Sequence, residues 1–148
     1  MSDVGLYQAI EDAAETAITG ISGMLRGVKK AMSYEDLVRV GFQQPTAGIC
    51  LAASQREGDL GTGNRPLAAM TRWDIAIVAR NARGQAVARA AIYPLLERVR
   101  DALHRYQPST ATLGQQRFLW QGDQFIEVEQ EDIVCAVATY TFGVRFGQ

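Results

Sequence analysis

The segment from Trp73 to Arg80 constrains the fold more than any other part of this sequence. One set of alternating positions holds Trp73, Ile75, Ile77 and Ala79, and the other set holds Ala76 and Val78. Successive side chains of a strand point to opposite faces of a sheet. Apolar residues on both faces therefore predict a central strand that protein covers on both sides.

The chain after this strand predicts the main helix. Asn81, Arg83 and Gly84 form a tight connection, and residues 85–105 then carry a continuous apolar stripe at helical spacing. The stripe consists of Ala88, Ala91, Ile92, Leu95, Leu96, Val99, Ala102 and Leu103. Pro94 lies inside this pattern and is expected to kink the helix or to begin a second segment, because proline removes a backbone hydrogen bond.

The N-terminal third predicts one or two helices followed by a buried strand. Residues 4–19 have the amphipathic pattern of a helix that Ser2 or Asp3 can cap. A second helical piece is expected through Met24, Leu25, Val28 and Met32, and it stays open whether residues 4–32 form one helix or two. The small apolar run at 46–54 predicts a strand, and the glycine-rich segment 55–66 predicts a loop.

The C-terminal third predicts strands. Residues 117–129 are expected to form a hairpin that turns at Gly122 and Asp123. Residues 133–146 alternate as a last long strand. Together these elements predict an α+β fold, with a mainly antiparallel sheet flanked by an N-terminal helix and a central helix. The 148 residues suit a single domain spanning 1–148.

Residues for catalysis or metal binding are scarce. His104 is the only histidine, and near a helix end it is expected to be a surface or C-terminal capping residue. Cys50 and Cys135 lie in apolar runs typical of buried free thiols. Gly61-Thr62-Gly63 is not followed by a helix-opening pattern, so it predicts a loop and not a phosphate site. We therefore expect no enzymatic activity, no cofactor and no metal.

Charge and hydropathy limit the location and the partners. The net charge of −1 gives no strong field for DNA or a membrane. The N-terminus lacks the basic start of a signal peptide, and no apolar run is long enough to span a bilayer. We therefore expect the protein to be made and kept in a cytoplasm-like compartment, with no membrane partner.

The charges are nevertheless separated along the chain. Acidic residues concentrate in 123–132, whereas arginines are spread over 72–105. A nucleic-acid patch is one interpretation, although the arginines are spread over a strand, a turn and a helix. Complementary faces between subunits are an equally good interpretation, and a solvated acidic strand without a role stays open. The candidate interface residues are Arg80, Arg83, Arg89, Asp123, Glu127 and Glu129.

The order of elements resembles a known family. The segment 73–108 is similar to the core of the tail-terminator, or tail completion, family of Mu-like long-tailed phages. The likeness lies in a strand followed by the "ARN" of residues 79–81 and by a helix with a spaced apolar pattern. That pattern comprises Tyr93, Leu95, Leu96, Val99 and Leu103. Phe118, Trp120 and Gly122, and the final strand with Tyr140, Phe142 and Val144, also fit.

The resemblance implies a structural virion protein of the tail or neck. Such proteins form a ring, commonly a hexamer, that caps the head-proximal end of the tail tube and stops its polymerisation. The implied partners are copies of the chain, the tail tube protein, the head–tail connector protein and a sheath protein, with DNA only passing through the lumen. Two alternatives stay open: another neck or tail-tube component, and a small nucleic-acid-binding or regulatory module.

Overall fold

The computed structural model describes residues 5–21, 28–30, 35–36, 45–57, 67–81, 83–109, 113, 116–127 and 133–146. Two long helices and five strands fall within these ranges, and Glu35 and Asp36 are also helical. The helices are α1 (Leu6–Ile18) and α2 (Gln85–Leu103). The strands are β1 (Val28–Lys30), β2 (Thr46–Glu57), β3 (Leu67–Arg80), β4 (Leu119–Ile126) and β5 (Ile133–Phe146).

The strands form one sheet in the order β1-β2-β3-β5-β4. The β2–β3, β3–β5 and β4–β5 pairs are antiparallel, and the short β1 pairs with β2 in parallel. The longest ladder joins β3 to β5, from Leu67 opposite Phe146 to Arg80 opposite Ile133. This α+β arrangement with two flanking helices confirms the fold class predicted from the sequence, and β3 is central, as its apolar residues predict.

The two faces of the sheet bury different residues. One face carries the main core, where Trp73 and Tyr140 lie opposite each other and both helices pack. The second face carries a smaller buried cluster of Ala76, Val78, Ile133, Cys135 and Val137. Within the described residues, Ile126 packs against that cluster. This division follows the alternation of β3 and β5.

A buried polar network lies within the main core. The Thr71 hydroxyl donates a hydrogen bond to the Phe142 carbonyl oxygen at 2.6 Å and accepts one from the Trp73 indole nitrogen at 2.8 Å. Thr71 is fully buried and Trp73 is 1% exposed, so water cannot replace either bond. One hydroxyl therefore satisfies the indole N–H and also ties β3 to β5.

Both helices are shorter than the sequence pattern predicts. α1 begins after Gly5 and has no side-chain cap, so the predicted capping by Ser2 or Asp3 is wrong. α2 is one continuous helix with Pro94 inside it, so no second segment begins there. Its N-cap is Gly84, whose φ of +111° is accessible to glycine at little cost. The Asn81 side chain accepts a hydrogen bond from the backbone N–H of Arg83, which shapes this turn.

The structure describes residues 28–30 of the predicted second helix through Met24 to Met32, and there the prediction is wrong. Val28–Lys30 is a strand, and it pairs with Ala47–Ile49 of β2. A short apolar spacing fits a helix and a strand equally well, and here the neighbouring strand decides the outcome. α1 ends at Ile18, so no single helix runs through residues 4–32.

The predicted hairpin at 117–129 is also wrong. Residues 119–126 form the single strand β4, which pairs with β5 throughout. The register shifts between Trp120 and Gly122, where Gly122 adopts a φ of +152°. The glycine therefore marks a β-bulge within the strand and not a turn between two strands. Val128 and Glu129 lie outside the described residues.

Strand β2 ends later than predicted. Gln55, Arg56 and Glu57 extend β2 and pair with Met70, Ala69 and Ala68 of β3. The expected loop at 55–66 is therefore wrong at its first three residues, because cross-strand pairing overrides their polar composition. Residues 58–66, including the Gly61-Thr62-Gly63 run, lie outside the described residues.

The packing of α2 on the sheet can be tested at Leu96, which is 6% exposed. We expect Leu96→Asp to lower the free energy of unfolding by about 3 kcal/mol or more, because the aspartate would bury an unpaired charge. Chemical denaturation measures this change. Ala90→Asp, on the exposed side of the same helix, is the matched control and should cost far less. Equal stabilities of the two variants would contradict this placement of α2.

Candidate subunit interface

One edge of the sheet carries an aromatic cluster with an arginine. Strand β4 has β5 on one side, and within the described residues no strand lies on its other side. The Arg89 guanidinium of α2 lies 4.1 Å from the centre of the Phe125 ring of β4. Tyr93, one helical turn after Arg89, contacts the same ring edge-on with centroids 5.7 Å apart. Tyr93 is nevertheless 51% exposed, so its other face is available to a partner.

A second arginine contact lies further along the same edge. The Arg100 guanidinium lies 5.0 Å from the centre of the Trp120 ring. The Trp120 indole nitrogen donates a hydrogen bond to a carboxylate oxygen of Asp123 at 3.0 Å. The backbone N–H of Trp120 donates to Nδ1 of His104 at 3.0 Å. His104 also forms the C-cap of α2, as predicted, so this residue joins the helix end to the edge strand.

Tyr140 lies beneath this edge, directly opposite Trp120 in the β4–β5 ladder. Its side chain is fully buried, and its hydroxyl has no hydrogen-bond partner among the described residues. Burial raises the pKa of Tyr140, and the nearby Asp123 carboxylate raises this pKa further. The Tyr140 phenol is therefore neutral at physiological pH, and its contribution to the fold is packing.

A cleft of about 340 Å³ opens at one end of the same edge. Arg89 and Glu127 both line this cleft, so it presents a positive and a negative group together. The other lining residues come from the start of α2, the end of β4 and the start of β5: Gln85, Phe125, Ile126, Ile133 and Val134.

The structure brings four of the six predicted interface residues to this end of the sheet. Arg80 ends β3 opposite Ile133, Arg83 is exposed in the following turn, and Arg89 and Glu127 line the cleft. Asp123 lies further along β4, where it is exposed and bonded to Trp120. Glu129 lies outside the described residues.

Sequence reasoning missed the aromatic partners of the arginines. Tyr93 lies among the α2 arginines along the chain. Phe125 and Trp120 of β4 lie under Arg89 and Arg100 only in the fold. The spacing of Arg89 and Tyr93, four residues apart on one helix, was an available local signal of a shared face. The partner strand could not be read from that spacing.

The thiols match their sequence prediction. Both cysteines are free; Cys135 is fully buried and Cys50 is partly buried. Burial raises the pKa of the Cys135 thiol to about 12. Burial also raises the pKa of the Cys50 thiol, and the nearby Asp74 carboxylate adds to that effect. Neither thiol is an activated nucleophile, because the thiolate is disfavoured in both.

The described part of the chain lacks two kinds of feature. No group of three or more His, Cys, Asp or Glu side chains there could hold a metal ion. Neither α1 nor α2 is long and apolar enough to cross a membrane.

Comparison with known families assigns the chain. The family model of the phage tail terminator protein matches residues 6–147, which is nearly the whole sequence. The chain belongs to the phage tail terminator family. This confirms the resemblance found in the sequence, and it makes the protein a structural component of the phage tail or neck, located in the virion.

A comparison of folds is consistent with the family assignment. A chain of the solved structure "Virion of native gene transfer agent (GTA) particle" is similar to this terminator with a TM-score of 0.59. The likeness covers 92% of this chain and 94% of that chain at 18% sequence identity, so it shows a shared fold. No curated protein matches the sequence.

The buried hydroxyls of this region give a stability prediction. We expect Tyr140→Phe to leave the stability of the terminator unchanged or to raise it by up to about 1 kcal/mol, because the removed hydroxyl has no partner. Thr71→Val should instead lower the free energy of unfolding by about 1–3 kcal/mol, because it leaves the Trp73 indole N–H buried and unpaired. Thermal unfolding of both variants measures the contrast. A Tyr140→Phe loss as large as that of Thr71→Val would show that the phenol has a partner.

Proposed function

We propose that this terminator forms a closed hexameric ring at the head-proximal end of the tail tube. The ring binds the last ring of the tube, offers no surface on which another tube ring can grow, and presents its opposite side to the head connector. The observation that carries this function is the match of residues 6–147 to the phage tail terminator family. The mechanism is steric and adhesive, without catalysis, cofactor or metal.

The two sides of the subunit support a ring. A head-to-tail ring requires two different patches on each subunit that fit each other. The described sheet ends in β4 on one side and in β1 with β2 on the other, so its two edges present different residues. A symmetric dimer would instead use one patch twice.

The proposed partners follow from this position. Copies of the chain form the ring, the tail tube protein lies on one side of it, and the connector protein lies on the other. A sheath protein is a further neighbour if the tail contracts. DNA passes through the lumen without being bound in a sequence-specific way.

We assign the candidate charged residues to the contacts and the lumen of this ring. Arg80, Arg83 and Glu127 lie at one end of the sheet, and Glu127 is exposed there. In the proposed ring, Glu127 and Glu129 either meet arginines of a neighbouring subunit or border the channel. In the channel their charge would repel the DNA phosphates.

A nucleic-acid-binding module is the weaker candidate. Two of its arginines, Arg89 and Arg100, already lie over aromatic rings of their own subunit. The net charge of −1 gives no attraction to phosphate over the whole surface. Binding to DNA that weakens steeply with rising salt would favour the module over the ring.

Deletion of the gene from the phage or particle that encodes it tests the capping function. We expect tails of uncontrolled length that fail to join heads, because nothing stops tube growth. Electron microscopy of negatively stained lysates measures the tail-length distribution. Expression of the wild-type chain in trans should restore uniform tails, and normal tails in the deletion would overturn the capping function.

A double charge reversal tests the proposed role of the acidic residues that follow β4 in the sequence. We expect Glu127→Lys together with Glu129→Lys to reduce the titre of infectious particles, because the surface would repel the matching arginines or attract the passing DNA. The control is Glu127→Gln with Glu129→Gln, which removes the charge without reversing it and should have the smaller effect. A normal titre for the double lysine variant would mean that these acids form only a solvated face.

A further inference from the structure

Hydrogen bonds join the chain that enters β4 to the end of α2. The Arg105 N–H donates to the Phe118 carbonyl oxygen at 2.6 Å, and the Phe118 N–H donates to the Tyr106 carbonyl oxygen at 3.1 Å. A further bond runs from the Trp120 backbone N–H to Nδ1 of His104 at 3.0 Å. The first two bonds join backbone to backbone. The acceptor of the third is a side chain that can gain a proton.

His104 takes the place of a neighbouring strand at this point of the sheet. On the side of β4 away from β5, no strand lies within the described residues. An edge strand exposes backbone donors and acceptors, and proteins commonly cover them. The imidazole covers one of these groups, the Trp120 N–H. His104 and Trp120 are both partly buried, so water replaces a lost bond between them only in part.

Protonation changes what the His104 ring can do. In a neutral imidazole one nitrogen accepts a hydrogen bond, whereas in the imidazolium both nitrogens carry protons and donate. No rotation of a protonated ring therefore gives the Trp120 N–H an acceptor. His104 is also the C-cap of α2, and the carbonyl groups at a helix C-terminus attract a cation. An imidazolium is thus drawn towards the helix end and away from β4.

The other titratable groups of this junction do not change charge where histidine does. The described charged side chains are Arg100 and Asp101 of α2, Arg105 after it, Arg117 before β4, and Asp123 of β4. Carboxylates ordinarily titrate below about pH 5, and guanidinium groups stay charged well above neutral pH. Burial raises the pKa of Tyr140, the tyrosine of β5 opposite Trp120, so this phenol stays neutral as well. A change at this junction between about pH 8 and pH 5 therefore falls on His104.

We propose that His104 is a proton-controlled cap of the edge strand β4. The neutral imidazole holds the Trp120 N–H, and protonation at acidic pH releases it and moves the ring towards the end of α2. The two backbone bonds of Phe118 stay in place, so the change is confined to the edge at Trp120. The cap acts within one subunit and does not depend on the proposed ring.

Amide hydrogen exchange of the purified full chain, followed by NMR at about pH 7.5 and about pH 5, tests this cap. His104 is the only histidine in the chain, so its titration can be isolated. His104→Asn is the matched variant, because its amide oxygen can accept the same bond and does not titrate. His104→Leu removes the acceptor at every pH. Variants are compared at the same pH, which cancels the pH dependence of the exchange chemistry.

At about pH 7.5 we expect equal protection of the Trp120 amide in the wild type and in His104→Asn. Protection in His104→Leu should be roughly tenfold lower, the factor that a hydrogen bond of ordinary net strength contributes. At about pH 5 the wild type should fall to the level of His104→Leu, while His104→Asn keeps its protection. The Phe118 amide, which is bonded to a backbone carbonyl oxygen, should be equally protected in all three chains.

The cap is overturned if wild-type protection at Trp120 stays with that of His104→Asn at about pH 5. Equal protection of the wild type and His104→Leu at about pH 7.5 would also contradict it. A loss at Phe118 as large as the loss at Trp120 would show general opening of the strand in place of a local release. If the leucine variant does not fold, the comparison of the wild type with His104→Asn at the two pH values still decides the outcome.

Discussion

The β3–β5 ladder is the interaction on which the rest of this terminator depends. It joins all fourteen residues of β3 to β5 in one register without a shift. A slip of one residue between β3 and β5 would put Trp73 and Tyr140 on opposite faces of the sheet and expose part of the apolar set that now packs against α2. The Thr71 hydroxyl reinforces this register, because its bond to the Phe142 carbonyl oxygen forms only between these strands in this alignment.

The positions of the outer strands of the sheet follow from that ladder. β2 and β4 are the outer neighbours of its two strands, so each of them has one side paired with the ladder. α2 packs on β3 and β5 and reaches β4 with Arg89, Tyr93 and Arg100. The arginine–aromatic contacts are worth about 0.5–1 kcal/mol each at exposed sites, so they orient the side chains without dominating stability. These contacts hold the Phe125 and Trp120 rings of the edge strand in place.

The sequence predicts the elements whose pattern is strong in itself. The sequence of β3 and of β5 alternates over at least eight residues, and that of α2 carries an apolar stripe over at least two helical turns. The structure contains all three elements, with the buried faces that these patterns predict. The predictions of a helix at Val28–Lys30 and of a hairpin at the position of β4 are wrong. In both places a partner strand, and not the local sequence, decides the structure. Gly122 is the instructive case, since glycine serves a turn and a β-bulge equally well, and only the pairing with β5 distinguishes them.

The candidate site was predictable in its charges and not in its partners. Arg89 and Glu127 were singled out because like charges cluster along the chain, and the fold places both at one cleft. The sequence predicts a hairpin that contains Phe125 and Trp120, and this prediction gives these residues no contact with α2. A contact between residues that are 36 positions apart, such as Arg89 and Phe125, depends on the whole topology and leaves no local pattern.

The closed ring proposed here would let modest patches on each subunit suffice. In a ring every subunit makes the same contact twice, and removing one subunit breaks two contacts at once. The tail tube adds a further surface, and linked contacts strengthen one another beyond the affinity of any single one. Tyr93, Leu119 and Tyr7 can therefore stay partly exposed in the free chain without forming a large apolar patch. In the proposed function the subunit associates firmly only where the end of the tube gathers several copies, which is the place where tube growth would stop.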